Sequence, residues 1–417
     1  MTYLGDRLAH DADAHIMEPA DWLITHADPA WRERMPRVFI ESLSPEEGED
    51  RDLADARRLH ADPDYRADDA AQIMLRKNFR ATGSFLSEDR PLAVDLIGVC
   101  SQLMFNTFTN AHLAEAEQTD PPLAEAMARA HNRAMVEFCD VDPRLLPTCY
   151  VPLADLSRAG GLAEEAIAMG AAALLVASAC PAGHSPSHIG LDPVWAAAQE
   201  AGVPIVFHVG GTGPLLSPRY FDNGLPPVPD FHGGAENFRS VDYMAIPYWP
   251  MQTLSTLVID GVLDRFPRLR FGFVELGASW LPGLMRNLDA SWTAFRRNEE
   301  RLQRLSDRPS EILRRQVRVT PYPHEDTGWI VEQAGREMCL FSSDYPHVEG
   351  GRHPLRRFDE SLARCDLDAV DRFYFENFVD LMGPVLERAG LPTTRAAAAG
   401  SVDHDAERSV RTPNPTR

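Results

Sequence analysis

The chain has 417 residues, 44% hydrophobic and 8% aromatic, enough to bury a large core as one domain or two smaller ones and too apolar for a disordered chain. It carries 62 acidic against 41 basic residues, a net charge of −21 that repels nucleic acid and anionic membrane surfaces. All basic residues but Lys77 are arginine, so chemistry that needs a Schiff base or a carbamylated lysine has only Lys77 to use.

The first fifteen residues, MTYLGDRLAHDADAH, lack the basic and then apolar layout of a signal peptide, and the longest apolar stretch, near 166–180, is too short to span a bilayer. Six cysteines are scattered without a C-x-x-C pair, as expected of reduced thiols in a cytoplasmic protein that contacts neither membrane nor nucleic acid.

Eight short apolar runs read as strands, at 8–16, 94–105, 145–153, 172–178, 204–210, 269–276, 317–322 and 339–343. Between them, segments such as 122–138, 159–169, 193–201 and 252–265 place apolar residues at i, i+3 and i+4, the pattern of helices packed on a sheet. Eight strands with helical crossovers predict an α/β fold, a distorted (β/α)8 TIM-type barrel. Residues 20–90, polar and acidic, read as an irregular helical insertion after strand 1. Residues 211–250 form an aromatic-rich loop after strand 5, a candidate lid. A single barrel domain is expected over 1–391, and a disordered tail over 392–417.

Side chains alternate along a strand, so Asp11, Asp13 and His15 of the first run project to one face. The fifth run ends on His208, the sixth carries Glu275 in otherwise apolar company, and the eighth ends on Asp344, three residues before His347. Each alone has a structural explanation: a hydrogen-bonded core histidine, a turn aspartate, a polar layer. A buried carboxylate still needs a cation or a proton, and four strand ends offering Asp13, His15, His208, Glu275 and Asp344 together point to a metal. Nitrogen and oxygen ligands without thiolate suit zinc, iron(II) or manganese(II). Such an ion lowers the pKa of bound water to about 7 or polarises a carbonyl.

The motifs DADAHIMEP, DPVWAAAQEAGVPIVFH, FVELGASWLPGLMRNLD and LFSSDYPHVEGG, in this order, make the chain resemble the amidohydrolase superfamily over roughly residues 8–390. The branch resembled is the amidohydrolase-related one, with metal-dependent hydrolases and aminocarboxymuconate semialdehyde decarboxylase-like enzymes. The resemblance implies a distorted barrel with one or two divalent cations at the carboxyl ends of the strands, zinc first, with iron or manganese as alternatives. It places the first-strand H-x-H motif on Asp13-Ala14-His15, the fifth-strand ligand on His208, and the metal-binding and proton-accepting aspartate on Asp344. The sixth-strand histidine, catalytic in the decarboxylases, is Glu275 here, which departs from them; Glu275 could ligate a second ion. The resemblance also implies a homodimer.

Three functions follow as expectations. The first is a metal-dependent hydrolase in which Asp344 or Glu275 is general base, His347 touches substrate or supports the site, and metal-activated water attacks an ester, thioester, lactone or amide of a bulky, largely apolar small molecule. The alternative is a non-oxidative decarboxylase of an aromatic or unsaturated carboxylic acid. The third is a non-catalytic ligand-binding barrel. Further residues considered for substrate contact are His184, His188, His232, His324, Arg239, Arg352 and the aromatic residues Tyr220, Phe221, Phe231, Phe238, Tyr243, Tyr248 and Trp249. Glu18 is expected to support the site or start a helix.

Overall fold

The computed structural model describes residues 2–38, 49–210, 215–226 and 240–399. Seven parallel strands follow one another in sequence order: β1 (Asp11–Ile16), β2 (Gln102–Asn106), β3 (Leu145–Tyr150), β4 (Ala173–Leu175), β5 (Ile205–His208), β6 (Phe271–Val274) and β7 (Val317–Val319). Every residue in them is buried, the mark of a sheet covered on both faces.

The eighth apolar run closes the ring without forming a regular strand. Leu340 N donates to Val319 O on β7, while Ala12 N and His15 N on β1 donate to Phe341 O and Tyr345 O. Asp344 N donates in turn to Asp13 O, so the run reaches both neighbours and completes a distorted (β/α)8 barrel.

Helices sheathe the strands where the periodicity predicts them. Pro121–Cys139 starts on an Asp120 cap, whose carboxylate accepts from Leu123 N at 3.2 Å, with proline in its first turn. Ala159–Met169 and Asp192–Ala201 stop at Gly170 and Gly202, both left-handed. The expected helix over 252–265 is two helices, Tyr248–Ile259 and Val262–Arg265, divided at left-handed Gly261.

The run at 94–105 departs from expectation. Its first part ends the helix Arg90–Ile97, closed by Gly98 at φ 88°, and only Gln102–Asn106 is strand. An apolar run of this kind fits a buried helix face as well as a strand. The insertion after β1 is helical and irregular: it includes the helices Trp22–His26, Glu49–His60, Pro63–Ala67 and Asp69–Gln72. Much of the expected lid, including His232, Phe231, Phe238 and Arg239, lies outside the described residues. Of the expected tail, residues 392–399 run into a helical turn with Ala398 buried, and 400–417 lie outside the described residues. No helix among the described residues is long and apolar enough to cross a membrane.

Candidate metal centre

β1 delivers Asp13 and His15, and a break in register decides which side chains they keep company with. Pairing with β2 runs Asp11 to Gln102 and then Ala14 to Met104, an irregularity of one residue between Asp11 and Ala14. Asp11 therefore does not join Asp13 and His15 at the metal-ligating cluster, contrary to strict alternation. Its carboxylate accepts from Ser343 N and Oγ (2.8 and 2.6 Å) and from Gln102 Nε2 (2.9 Å), pinning β1 to the closing segment.

The other predicted ligands meet. His15 Nε2 lies 3.1 Å from Asp13 Oδ1 and 3.7 Å from both Glu275 Oε2 and Asp344 Oδ1. His208 Nε2 lies 3.4 Å from Asp13 Oδ1 and 3.2 Å from Glu275 Oε2, and His347 Nδ1 lies 3.1 Å from Asp344 Oδ1. Two overlapping sets, Asp13-His15-His208-Glu275 and His15-Glu275-Asp344-His347, each hold their ligand atoms within 4.8 Å of one another. All six residues are buried.

Hydrogen bonds on the far side of each ring fix which nitrogen faces the centre. His15 Nδ1 and His208 Nδ1 lie 3.0 Å from the carbonyls of Asn106 and Val209. A carbonyl only accepts, so each Nδ1 carries the proton and each Nε2 presents a lone pair. Thr107 Oγ1 donates to Ile16 O at 2.8 Å, so it accepts from His347 Nε2, also at 2.8 Å, and His347 Nδ1 is left with a lone pair. Asp13 Oδ1, His15 Nε2, His208 Nε2, Asp344 Oδ1 and His347 Nδ1 are buried yet make no hydrogen bond among themselves or to other groups. Buried lone pairs that converge without donors are the condition a divalent cation satisfies, so the residues fit the metal.

Burial and mutual charge shape the protonation states. Burial, reinforced by the Asp13 charge, pushes Asp344 up to about 7. Burial pulls His15 down to about 4, with His347 adding to it, and His347 down to about 3.

Two of the carboxylates stand just beyond regular structure, in the left-handed region that non-glycine residues rarely occupy: Glu275 and Asp344 each have φ 51°. Glu275 is held there by its N–H on Thr320 Oγ1 (2.8 Å) and by Tyr322 Oη, which donates to its carbonyl at 2.7 Å. Asp344 is held by the loop that follows it, where a Cβ on Gly350 would lie 2.3 Å from Ser343 O, so only glycine fits.

Glu18 accepts from the backbone N–H groups of Thr107, Phe108 and Thr109 and from Thr109 Oγ1, fixing the turn that presents Thr107 to His347. His324 stacks on Tyr322 (centroids 5.3 Å apart) and pairs with Tyr243 Oη at 3.0 Å, an aromatic group joined to the centre through the Tyr322 hydroxyl. His184 and His188 bond to nearby loop backbone and belong to neither ligand set, and Arg352, Tyr220 and Tyr248 are exposed.

Sequence reasoning missed Thr107, Thr320 and Lys77 as site residues. Lys77 Nζ is buried without a hydrogen bond, among the charges of Asp344, Glu349 and Arg352. Burial pulls its ammonium down to about 8 against the opposing pull of the two carboxylates.

A parallel barrel with polar ligands gathered at the carboxyl ends of its strands defines a metal-dependent enzyme of the amidohydrolase class. The chain belongs to the amidohydrolase family, whose profile matches residues 99–377. Among solved structures it is similar to an amidohydrolase of Mycobacterium avium subsp. paratuberculosis K-10, with 23% identity, a TM-score of 0.67, and coverage of 91% of this chain and 100% of that one. It is also similar to the 5-carboxyvanillate decarboxylase of Novosphingobium aromaticivorans DSM 12444, in complex with manganese and 4-hydroxy-3-methoxy-5-nitrobenzoic acid (16%, TM-score 0.60, 92% and 98% coverage). A third is the dihydroxybenzoic acid decarboxylase of Polaromonas sp. JS666, with manganese and 2-nitroresorcinol (17%, TM-score 0.55, 91% and 97% coverage). At these identities the likeness is one of fold. No curated protein matches the chain in sequence.

Proposed function

We propose that the chain is a metal-dependent decarboxylase of an aromatic or unsaturated carboxylic acid. The observation that carries this reading is the pairing of Asp344 Oδ1 with His347 Nδ1 at 3.1 Å beside the ligand cluster. Loss of carbon dioxide leaves an electron pair on a ring or alkene carbon, and that carbon must take up a proton. That proton is assigned to the Asp344–His347 pair, whose Oδ1 and Nδ1 face each other at the edge of the cluster. The bound cation would hold the substrate's carboxylate and an adjacent oxygen and offset the charges of Asp13, Glu275 and Asp344. Support comes also from the likeness to carboxyvanillate and dihydroxybenzoate decarboxylases, two of them with manganese, which makes manganese the first metal to try.

Hydrolysis is the second reading, and Glu275 favours it. A carboxylate 3.2 Å from His208 Nε2, in place of the histidine expected of decarboxylases, offers a base for a water molecule. Manganese-loaded protein is to be given 5-carboxyvanillate, 2,6-dihydroxybenzoate and related acids in deuterium oxide. Carbon dioxide release with one deuterium at the vacated carbon is the expected result. Turnover only of esters or amides, with oxygen-18 from solvent in the product acid, would replace decarboxylation by hydrolysis.

A further inference from the structure

Lys77 is the only lysine of the chain and lies in the insertion, far in sequence from every ligand except those of β1. The fold brings it to the centre by anchoring the backbone beside it. Asn78 N donates to Pro346 O at 3.0 Å, two residues after Asp344, and Asn78 takes a left-handed conformation (φ 52°) that asparagine tolerates better than most residues. Tyr345 Oη donates to Thr82 O at 2.6 Å, closing the same junction from the other side. The segment carrying Lys77 is thus tied to the loop carrying Asp344.

The ammonium so placed is under-used. Nζ is buried and, among the described residues, makes no hydrogen bond and no ion pair, although Asp344 and Glu349 are near enough to act on it by charge. A desolvated ammonium with three open N–H donors costs several kcal/mol unless an anion meets it. The fully buried Arg90 beside β1 is already engaged: it donates to the carbonyls of His15 and Gly83 and to Gln102 Oε1. Charge balance argues the same way. Asp13, Glu275 and Asp344 outweigh one divalent cation when all three are ionised, so an anionic substrate entering the site needs a further positive charge.

We propose that Lys77 receives a carboxylate oxygen of the substrate and makes carboxylic acids the preferred class of ligand. The assignment rests on the acid-substrate reading above and adds to it the residue that selects the acid. Lysine suits the task as a compact point charge on a flexible stem, able to follow a carboxylate between binding and release.

The test is calorimetric binding of benzoate, trans-cinnamate and their primary amides to manganese-loaded wild type, Lys77→Met and Lys77→Arg, with metal content and thermal unfolding recorded for each. In Lys77→Met, affinity for both acids should fall about tenfold or more while amide affinity stays within about twofold, and Lys77→Arg should recover most of the loss. Metal content should be equal in all three, which separates a lost substrate contact from a damaged centre. Acids that bind wild type and Lys77→Met equally would overturn the assignment and leave the decarboxylase reading intact. Wild type that binds the amides but neither acid would overturn both. Should Lys77→Met fail to fold, Lys77→Gln takes its place under the same criterion: acids that bind wild type and Lys77→Gln equally would overturn the assignment.

Discussion

The imidazoles of His15 and His347 stack with their centroids 3.9 Å apart and their planes 29° from parallel. Two imidazolium ions would repel at that distance, so the stack belongs to neutral rings, each with its proton turned away from the centre toward Asn106 O or Thr107 Oγ1. The hydrogen bonds that set these tautomers are as much part of the site as the ligands themselves.

His208 is a candidate ligand whose removal leaves the barrel closure intact, because β1 and the closing segment 340–345 are joined without it. In His208→Ala the affinity for manganese or zinc should fall more than about 100-fold, since loss of a supporting partner alone costs 10- to 100-fold. Plasma mass spectrometry on dialysed protein gives the metal content, and circular dichroism shows whether the fold persists. A folded His208→Ala protein with full metal would remove His208 from the ligand set.

Thr107→Val keeps the shape of the side chain and removes the acceptor for His347 Nε2–H. The His347 ring then loses the contact that aims Nδ1 at Asp344, and turnover should fall by roughly 10- to 100-fold with metal content within twofold of wild type. The folded state should lose about 1 kcal/mol from the broken bonds to His347 and Ile16. Because a merely structural role would leave the reaction's pH profile in place, the profile is the deciding measurement. It should shift with the lost His347 anchor, and an unchanged profile at unchanged rate would refute the role given to Thr107.

The candidate ligand residues were legible because chemistry concentrates them: a histidine or carboxylate closing an apolar run stands out against its neighbours. What alternation could not reveal was the register break after Asp11, which depends on pairing with β2 and removes Asp11 from the cluster. Nor could it reveal that Glu275 and Asp344 sit past the strand ends at φ 51°, a conformation held by Thr320, Tyr322 and Gly350 from other segments. The run at 94–105 misled because its apolar residues serve a buried helix end and a strand in succession. Lys77 was visible as a unique residue but not as a site residue, since its placement depends on the contact of its neighbour Asn78 with Pro346, far away in the sequence. Thr107 carried no signal at all: a threonine after an apolar strand is ordinary until His347 is seen against it.

A last prediction concerns stability rather than catalysis. His131 lies fully buried in the helix Pro121–Cys139, where its Nδ1 accepts from Trp22 Nε1 at 3.3 Å, and burial pulls its pKa from 6.5 down to about 3. The folded state therefore keeps this ring neutral while the unfolded chain protonates it below pH 6.5. The contribution to stability is complete above pH 6.5 and is lost as pH falls toward 3, because the unfolded state binds the extra proton. Between pH 7 and pH 5 one such group accounts for about 2 kcal/mol. His131→Gln, which keeps an acceptor for Trp22 but has no ionisable ring, should be less stable at pH 7 and lose about 2 kcal/mol less than wild type over that interval. Urea unfolding followed by tryptophan fluorescence at the two pH values measures both numbers, and identical losses in the two proteins would show that His131 is protonated in the folded state as readily as in the unfolded one.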